Sequence, residues 1–390
     1  MLPFTYALRN LFRDPARLLQ TVGGSMIVVL LIITAVAMNQ GMDTILSTSG
    51  SPNNIILLGK GSEESLERSE VDLGAEAAAT SIPGIDTKLG VEAISGEITY
   101  QAPITIGTGD NTKTEPALLR GVIEKALLVH TSVRLLEGNF PAPGQVMVGE
   151  LTHRKLGVSK DDLAIGNSIY FESTEMIISG RFTAPGTVLE SEIWFDRNDL
   201  SSLTQRDSLS SIIIRLEDPE PGSQIDTGDA EFFTFQRNDL ELSAIPEKEY
   251  YDKLSIFYKP IQIMTWVTAA LVAAGAVFGG LNTLYAAFAS RIKEMATLQS
   301  IGFSRKALFT SLIQESLLAT LTGTLLAFLA AYFFIDGMTV PFSIGTFTLT
   351  ITPPVITVGL ITGIALGSIG TLPPAIRCLL PSLPKALRSN

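Results

Sequence analysis

The amino-acid sequence predicts a membrane protein with four transmembrane α-helices and a large α+β extracytoplasmic domain inserted between helices 1 and 2. The mean hydropathy of the 390 residues is positive, at +0.33, although the formal net charge is −11. A single soluble domain rarely combines these two values, so they indicate two environments within one chain. Long uncharged runs near both ends, with an acidic strand-rich segment between them, divide the sequence accordingly.

Uncharged runs locate the membrane spans. One run lies between Arg17 and Asp43 near the N-terminus. The other three hold 31, 20 and 40 residues and lie between Lys259 and Arg291, between Glu315 and Asp336, and between Asp336 and Arg377. A bilayer core of about 30 Å needs about 20 apolar residues as a helix. We therefore predict transmembrane helices at residues 18–41, 260–289, 308–335 and 352–374.

The first span has an alternative interpretation. Basic residues, an apolar run and Ala35-Val36-Ala37 also resemble a signal peptide with a small-residue cleavage site. The apolar run is longer than a usual signal core, which holds about 7–15 residues. Because three more spans follow, the sequence favours an uncleaved helix.

Basic residues predict the orientation. Residues 42–259 hold 18 Lys and Arg against 35 Asp and Glu, whereas the basic residues elsewhere flank the spans in three clusters. The positive-inside rule places all three clusters in the cytoplasm. Both termini (1–17 and 375–390) and the segment 290–306 are then cytoplasmic, 42–259 is extracytoplasmic, and 336–351 is an outer loop. The protein is thus predicted to be a multi-pass membrane protein with both termini in the cytoplasm.

The extracytoplasmic segment is predicted to be an α+β domain with two lobes and a stalk. Short β-rich runs such as "NIILLG", "QVMVG" and "SIIIRL" are separated by Gly, Pro, Asn or Asp. Helical patterns are fewer, at 74–80, 124–136, 150–156 and 229–240. The run "PEKEYYDKLSIFYKP" leads into the second span, which indicates a stalk that extends that helix outward.

No motif for catalysis, for a metal or for a cofactor occurs in the sequence. There is no G-x-x-x-x-G-K-[ST], no H-E-x-x-H and no G-x-S-x-G. Cys378 is the one cysteine, and His130 and His153 stand alone in the sequence. We therefore predict no enzyme activity and no catalytic, cofactor-binding or metal-binding residues, although folding could still bring extracytoplasmic carboxylates together. A membrane-anchored enzyme is accordingly a weak alternative.

The N-terminus is predicted to form an amphipathic helix. Its apolar residues recur at helical spacing opposite Arg9 and Arg13, and they are Phe4, Leu8, Leu11 and Phe12. Such a stripe suits a helix, here called the elbow, that lies in the inner membrane interface. The alternative is a plain basic flank with chance periodicity.

The segment between the second and third spans is predicted to be a short helix followed by a tight turn. Ser290–Ser300 favours helix, Gly302 suits the left-handed residue after a helix, and Ser304 suits the cap of the next helix. A connecting loop would need only a few residues. An ordered helix here suits docking to a cytoplasmic partner.

Three parts of the sequence resemble one family. The run from Asn282 to Ala331 closely resembles the signature of MacB/FtsX-type ABC transporter permeases, with its R-x-x-E-[IM]-x-x-L-x-x-[IL]-G core. The matching residues are Arg291, Glu294, Met295, Leu298, Ile301, Gly302 and Glu315. "YALRNLFRDPARLLQTVGG" is similar to the family's elbow and first span, and "LPPAIRCLLPSLPKALRSN" to its C-terminal end. "VMVGELTHRKLGVSKDDLAIGNSIYF" resembles part of the MacB-like periplasmic core domain.

The resemblance implies a function that composition does not. Such permeases dimerise, as two copies or with a paralogue, and work with two copies of a cytoplasmic ABC ATPase that binds the ATP. Motion passes from the ATPase through a coupling helix, here 290–306, to the extracytoplasmic domain. Since this chain lacks an ATPase domain, it resembles the separately encoded LolC type, which exports or extracts a substrate. A FtsX-type signalling module that activates a cell-wall hydrolase is the alternative.

The resemblance also assigns roles to the coupling helix. Met295 and Leu298 are expected to seat in a groove on the ATPase, with Arg291 and Glu294 at its rim and Gly302 forming the turn. Glu315, at the inner end of the third span, is expected to be structural rather than part of a proton relay. Further expected partners are membrane lipid and a periplasmic adaptor or lipoprotein, but no nucleic acid.

Glycines at four-residue spacing lie in the second and fourth spans. They are Gly275 and Gly279, and Gly359, Gly363 and Gly367. This spacing lets helix backbones approach closely. The glycines indicate either a dimer seam or packing within one chain.

Overall fold

The computed structural model describes residues 4–107, 112–218 and 227–381. The first residues of the predicted elbow, 1–3, and most of the predicted tail, 382–390, therefore lie outside the described residues. The chain divides into two compact units. We call them the helical unit (Met1–Gly41, Pro260–Met338 and Leu349–Asn390) and the β-rich unit (Met42–Lys259 and Thr339–Thr348).

Twelve α-helices lie in the described part of the chain. In order they are α1 (Phe4–Leu11), α2 (Pro15–Ser49), α3 (Gly74–Ala79), α4 (Ala126–Val129), α5 (Thr152–Lys155), α6 (Arg197–Thr204), α7 (Gly228–Gln236), α8 (Glu247–Ala289), α9 (Ile292–Ser300), α10 (Arg305–Phe334), α11 (Pro353–Ile369) and α12 (Leu372–Leu379).

The same residues contain fourteen β-strands. In order they are β1 (Asn54–Gly59), β2 (Thr87–Lys88), β3 (Val91–Glu92), β4 (Ile94–Ile106), β5 (Lys113–Val122), β6 (Arg134–Gly138), β7 (Gln145–Gly149), β8 (Ser168–Phe171), β9 (Thr174–Thr183), β10 (Ile193–Asp196), β11 (Ser211–Arg215), β12 (Leu242–Pro246), β13 (Thr339–Pro341) and β14 (Thr346–Thr348).

Four helical stretches are long and apolar enough to cross a membrane. They are Pro15–Ser49, Glu247–Ala289, Arg305–Phe334 and Pro353–Leu379. The first two are longer than a bilayer requires, because α2 continues to Ser49 and α8 already begins at Glu247. The fourth is interrupted after Ile369, and α12 then carries Pro373 and Pro374 in its first turn, where a missing N–H costs nothing.

The β-rich unit is built on one ten-stranded mixed sheet. Its strand order is β12-β1-β11-β4-β5-β10-β7-β9-β6, and β8 pairs with both β4 and β9. The long strand β4 joins the two parts of the sheet. Its first residues pair with β11, and its remainder pairs with β5 over nine register positions. The pairs β5–β10 and β7–β9 are parallel, which requires long connections, here residues 123–192 and 150–173.

The core of this unit lies on both faces of the central strands. In β11, Ile212 and Ile214 belong to the main apolar cluster, while Ile213 packs on the other face with Ala93 and Val129. A strand buried on both faces reads as a continuous apolar run rather than an alternating one. This explains the sequence "SIIIR" and the fully buried β1.

The predicted outer loop 336–351 contains a β-hairpin. Strands β13 and β14 pair from Thr339 opposite Thr348 to Pro341 opposite Thr346. The hairpin packs within the β-rich unit, where Lys155 donates to the backbone carbonyls of Phe342 and, at 3.1 Å, Ser343. The Phe342 ring also meets the Tyr258 ring edge-on, with centroids 5.6 Å apart.

Candidate functional site

The segment that joins α8 to α10 is an ordered helix and turn. Helix α9 ends at Ser300 with Ile301 as its C-cap, and Gly302 then adopts a φ of +108°, which only glycine takes readily. The Gly302 N–H donates to Gln299 O at 3.0 Å and the Phe303 N–H to Leu298 O at 3.1 Å. These are the two bonds of a Schellman motif, so the predicted helix end is confirmed.

The start of α10 also agrees with the sequence. Ser304 has an extended backbone, and its hydroxyl accepts the N–H of Ala307 at 3.3 Å. A side-chain oxygen at this position satisfies one of the free N–H groups of the first helical turn. The backbone therefore leaves α9, reverses at Gly302 and enters α10 within a few residues.

Met295 does not have the exposure expected of an anchor for a partner. Its side chain is only 2% exposed and packs in an apolar cluster of the helical unit with Phe288, Leu308, Leu312 and Cys378. Leu298 is half-buried against the same cluster. Met295 is therefore not available at the surface as an anchor, because the apolar side of α9 faces the chain's own helices. Its contact with an ATPase stays a prediction.

Glu315 is the centre of a buried charge cluster. Its carboxylate accepts bonds from Arg291 Nη1 at 2.9 and 3.2 Å and from Asn10 Nδ2 at 2.8 Å, and it also pairs with Arg17. These partners come from the elbow helix α1, the first turn of α2 and the start of α9. We call Glu315, Arg17, Arg291 and Asn10 the Glu315 cluster. It ties four elements of the helical unit together.

Glu294 connects to the same region from α9. It accepts the hydroxyl of Tyr6 at 3.0 Å and lies 3.4 Å from an Arg13 nitrogen and 3.5 Å from Arg291 Nε. Burial alone would lower the pKa of Arg291, but the charges of Glu315 and Glu294 outweigh it and raise that pKa. Arg291 and Glu294 therefore bind the chain itself instead of forming the rim of a free surface.

The exposed side of this segment has one large apolar side chain. Ile301 is 70% exposed at the tip of the turn. The exposed residues around it are polar, charged or glycine, and six of them are Lys293, Thr297, Ser300, Gly302, Arg305 and Lys306. We call Ile301 and these six residues the α9 surface. Single exposed apolar residues are common on protein surfaces. This one resembles the central anchor of a small interface because its surroundings are polar.

The glycines of the spans fall into two groups. A Cβ at Gly359 would lie 2.7 Å from the side chain of Ile33, and Cβ atoms at Gly363 and Gly367 would collide with Thr324 and Thr320. These α11 glycines therefore allow close packing within the chain. A Cβ at Gly275 or Gly279 would meet no heavy atom within 4 Å, and the assignment of these two to a dimer seam stays a prediction.

A second buried charge cluster lies in the β-rich unit, and no local sequence pattern indicates it. Arg120 donates to both oxygens of Glu192, at 2.7 Å each, and to Glu97 at 2.7 Å. His130 Nε2 lies 2.9 Å from the other oxygen of Glu97, and Trp194 Nε1 donates to Glu192 at 3.0 Å. We call these five residues the Arg120 cluster. Among the described residues, no group of His, Cys, Asp and Glu could hold a metal ion.

Comparisons with known proteins bear on the helical unit. Residues 266–379 match the family model described as FtsX-like permease C-terminal. These residues include the end of α8, the α9 surface, Glu315 and the last two spans. No curated protein sequence matches the chain.

Solved structures resemble the chain over about half its length. One is the periplasmic region of MacB from Actinobacillus actinomycetemcomitans, with 11% identity and a TM-score of 0.40, covering 53% of this chain and 94% of that one. Another is the extracellular domain of the ABC-type transporter YknZ from Gram-positive bacteria, with 12% identity and a TM-score of 0.35. It covers 50% of this chain and 100% of that one.

Proposed function

We propose that this chain, an ABC transporter permease subunit whose residues 266–379 are an FtsX-like permease C-terminal domain, works with a separate cytoplasmic ATPase in the manner of the LolC type. The ATPase binds the nucleotide, and the permease passes the resulting motion to the β-rich unit. That motion exports or extracts a substrate. The permease is expected to act as a dimer, with a second copy or a paralogue, and with two ATPase subunits.

The observation that carries this proposal is the contrast between the two sides of α9. One side presents the α9 surface, with Ile301 exposed in a polar rim. The other side is bound tightly within the helical unit through Met295 and the Glu315 cluster. A partner that displaces Ile301 would therefore also displace the groups attached to α9. A helix that transmits motion from a partner must have such attachments, whereas a loop that only joins two spans needs none.

The Glu315 cluster gives the route by which that motion spreads. Arg291 at the start of α9 shares one carboxylate with Arg17 in the first turn of α2. Helix α2 then continues without interruption to Ser49, and α8, which precedes Arg291, begins at Glu247. Both helices thus contribute residues to the β-rich unit as well. We infer that motion is transmitted to that unit along these two helices.

Orientation follows from the basic residues. The arginines and lysines outside 42–259 flank the spans, so the positive-inside rule favours cytoplasmic termini and a cytoplasmic α9. We propose accordingly that the β-rich unit lies outside the inner membrane of a bacterium. A periplasmic adaptor or a lipoprotein is the partner that we expect there.

Hydrolysis of ATP tests the division of roles. The purified full chain alone is expected to hydrolyse no ATP above background, because its sequence has no phosphate-binding loop. Hydrolysis is expected only after a separate ATPase subunit is added, measured as phosphate release. The matched control is the same ATPase with its phosphate-loop lysine replaced, which should remain inactive in the complex. Activity of the chain alone that persists through repeated purification would contradict the proposal.

A further inference from the structure

A polar pocket of about 310 Å³ lies beside the Glu315 cluster. It is bounded by the α1–α2 turn, the end of α8 and the start of α9. Its polar lining consists of Asn10, Arg13, Asp14, Arg17, Ser290, Arg291 and Glu294. We call it the elbow pocket. Its size is within the range of pockets that hold small ligands, which is about 300–1,000 Å³.

Three arginines of the elbow pocket differ in how fully they are paired. Arg17 is bound to Glu315 and is almost fully buried. Arg291 shares that carboxylate, yet its Nη2 atom is buried and has no hydrogen-bond partner among the described residues. The Arg13 side chain is 73% exposed and approaches Glu294 only to 3.4 Å. The residues that line the pocket therefore include one arginine with an unsatisfied buried donor and one exposed arginine, beside the carboxylates of Asp14 and Glu294. An anion would satisfy the two arginines.

The surroundings of the elbow pocket indicate which anion reaches it. The pocket lies where the predicted first span begins and the predicted second span ends. The predicted spans therefore put it near the level of the lipid headgroups. Phe12, next to Arg13, and Leu19, one turn beyond the start of α2, are strongly exposed apolar side chains. Such residues favour contact with acyl chains, while arginines near a membrane surface attract anionic lipid.

We propose that the elbow pocket binds the phosphate of an anionic phospholipid, with Arg13 and Arg291 as its donors and the acyl chains against Phe12 and Leu19. This inference rests on the cytoplasmic orientation in the proposed function. Binding would fix the elbow helix to the membrane beside the Glu315 cluster. A bound lipid would thereby keep the elbow helix in place while α9 moves relative to it.

Native mass spectrometry of the purified full chain tests this site without any ATPase. Delipidated chain is offered phosphatidylglycerol and phosphatidylcholine in equal amounts, and the lipid that remains bound is identified. We expect a preference for phosphatidylglycerol that falls about fivefold with Arg13→Gln, since one arginine near anionic lipid is lost. Ser290→Asp adds a negative charge to the pocket without removing an existing ion pair. Since this charge would repel the lipid phosphate, the substitution is expected to abolish the preference.

Arg305→Gln is the matched control, because Arg305 is an exposed cation outside the elbow pocket. It should leave the preference unchanged. No preference in the wild type, or an equal loss with Arg305→Gln, would overturn the proposal in favour of diffuse charge attraction.

Two further arms identify the source of the anion. Inorganic phosphate should not displace the lipid, and displacement by phosphate alone would indicate a soluble ligand and contradict the lipid assignment. Displacement by the ATPase subunit would mean that the elbow pocket is part of the protein interface instead. Because these measurements need no hydrolysis, a failed lipid site would leave the ATPase proposal untouched, and a failed ATPase interaction would leave the lipid result standing.

Discussion

Replacement of Arg120 by methionine is expected to destabilise the β-rich unit by about 3–5 kcal/mol, the usual cost of breaking a buried ion pair. The change leaves Glu97 and Glu192 fully buried without the guanidinium that binds both. The free energy of unfolding would be measured on the full chain in denaturant. Trp194, one of the two tryptophans, reports through its fluorescence in a Trp266→Phe background.

Arg181 provides the matched control for Arg120. It also joins two carboxylates, Glu137 and Glu150, but both of these are partly exposed. Arg181→Met should therefore cost about 1 kcal/mol or less, as exposed ion pairs do. Equal costs for the two substitutions would show that burial of the Arg120 cluster has no special energetic role.

The pH dependence of the free energy of unfolding shows whether Arg120→Met acts by removing a charge or by removing packing contacts. Burial alone would raise the pKa of Glu97, but the charges and hydrogen bonds of His130 and Arg120 outweigh it and lower the pKa from 4.5 to about 2. A carboxyl group with a lowered pKa contributes stability that is present above 4.5 and is lost as the pH falls toward 2.

Without Arg120 that pKa rises, so the deficit of Arg120→Met should be largest near neutral pH and should shrink below pH 4.5. His130 acts in the opposite direction. Burial would lower its pKa, yet Glu97 outweighs burial and raises it, so its contribution is lost as the pH rises above its folded value. A deficit that does not change with pH would mean that the substitution only removed packing.

Glu315→Gln is expected to uncouple the permease from its ATPase. The substitution leaves Arg17 and Arg291, both nearly buried, without their shared negative charge. Breaking a buried ion pair costs about 3–5 kcal/mol, so the substitution is expected to weaken the connection between α9 and α2. The ATPase should still bind, but its stimulation by the permease should fall about tenfold or more, measured as phosphate release from the assembled complex.

Glu294→Gln is the control for that experiment. Glu294 is more exposed than Glu315, and its bonds to Arg13 and Arg291 are long. Its loss should change stimulation less than about threefold. Unchanged Trp194 fluorescence would show that each variant retains a folded β-rich unit. Full stimulation by a folded Glu315→Gln variant would exclude the Glu315 cluster as the route of coupling.

Local sequence patterns predicted the strands and helix ends that depend only on residues close by in the sequence. The runs "NIILLG" and "QVMVG" coincide with β1 and β7, because each apolar run ends at a glycine. Gly302 and Ser304 likewise mark the end of α9 and the start of α10. Capping and turn chemistry depend on residues a few positions apart, and a sequence displays these directly.

Predictions failed where a distant strand decides the conformation. Residues 124–136 contain good helix formers, yet only Ala126–Val129 is helical and Arg134–Gly138 is strand β6, paired with β9. Pairing with a formed sheet can override a local helix preference. The sequence pattern does not indicate strand β5, because Pro116 and the charges of Lys113 and Glu115 interrupt it.

The sequence does not predict the two charge clusters either, because their residues lie far apart along the chain. Asn10 and Glu315 are 305 positions apart, and Arg120 and Glu192 are 72 apart. The one available signal was Glu315 itself, a lone acid at the edge of an uncharged run. Such a residue in a span predicts a partner, but the sequence does not identify which of several arginines it binds.

Association of Ile301→Asp with the ATPase tests most directly the claim that α9 receives the motion of a separate ATPase. Co-purification with the ATPase should weaken about tenfold or more, because a central anchor carries much of the interface energy. The control is Leu380→Asp, an equally apolar residue of similar exposure, 67% against 70%, that lies outside the α9 surface. That variant should bind the ATPase normally. Wild-type binding by Ile301→Asp would contradict the account and place the contact with the ATPase elsewhere.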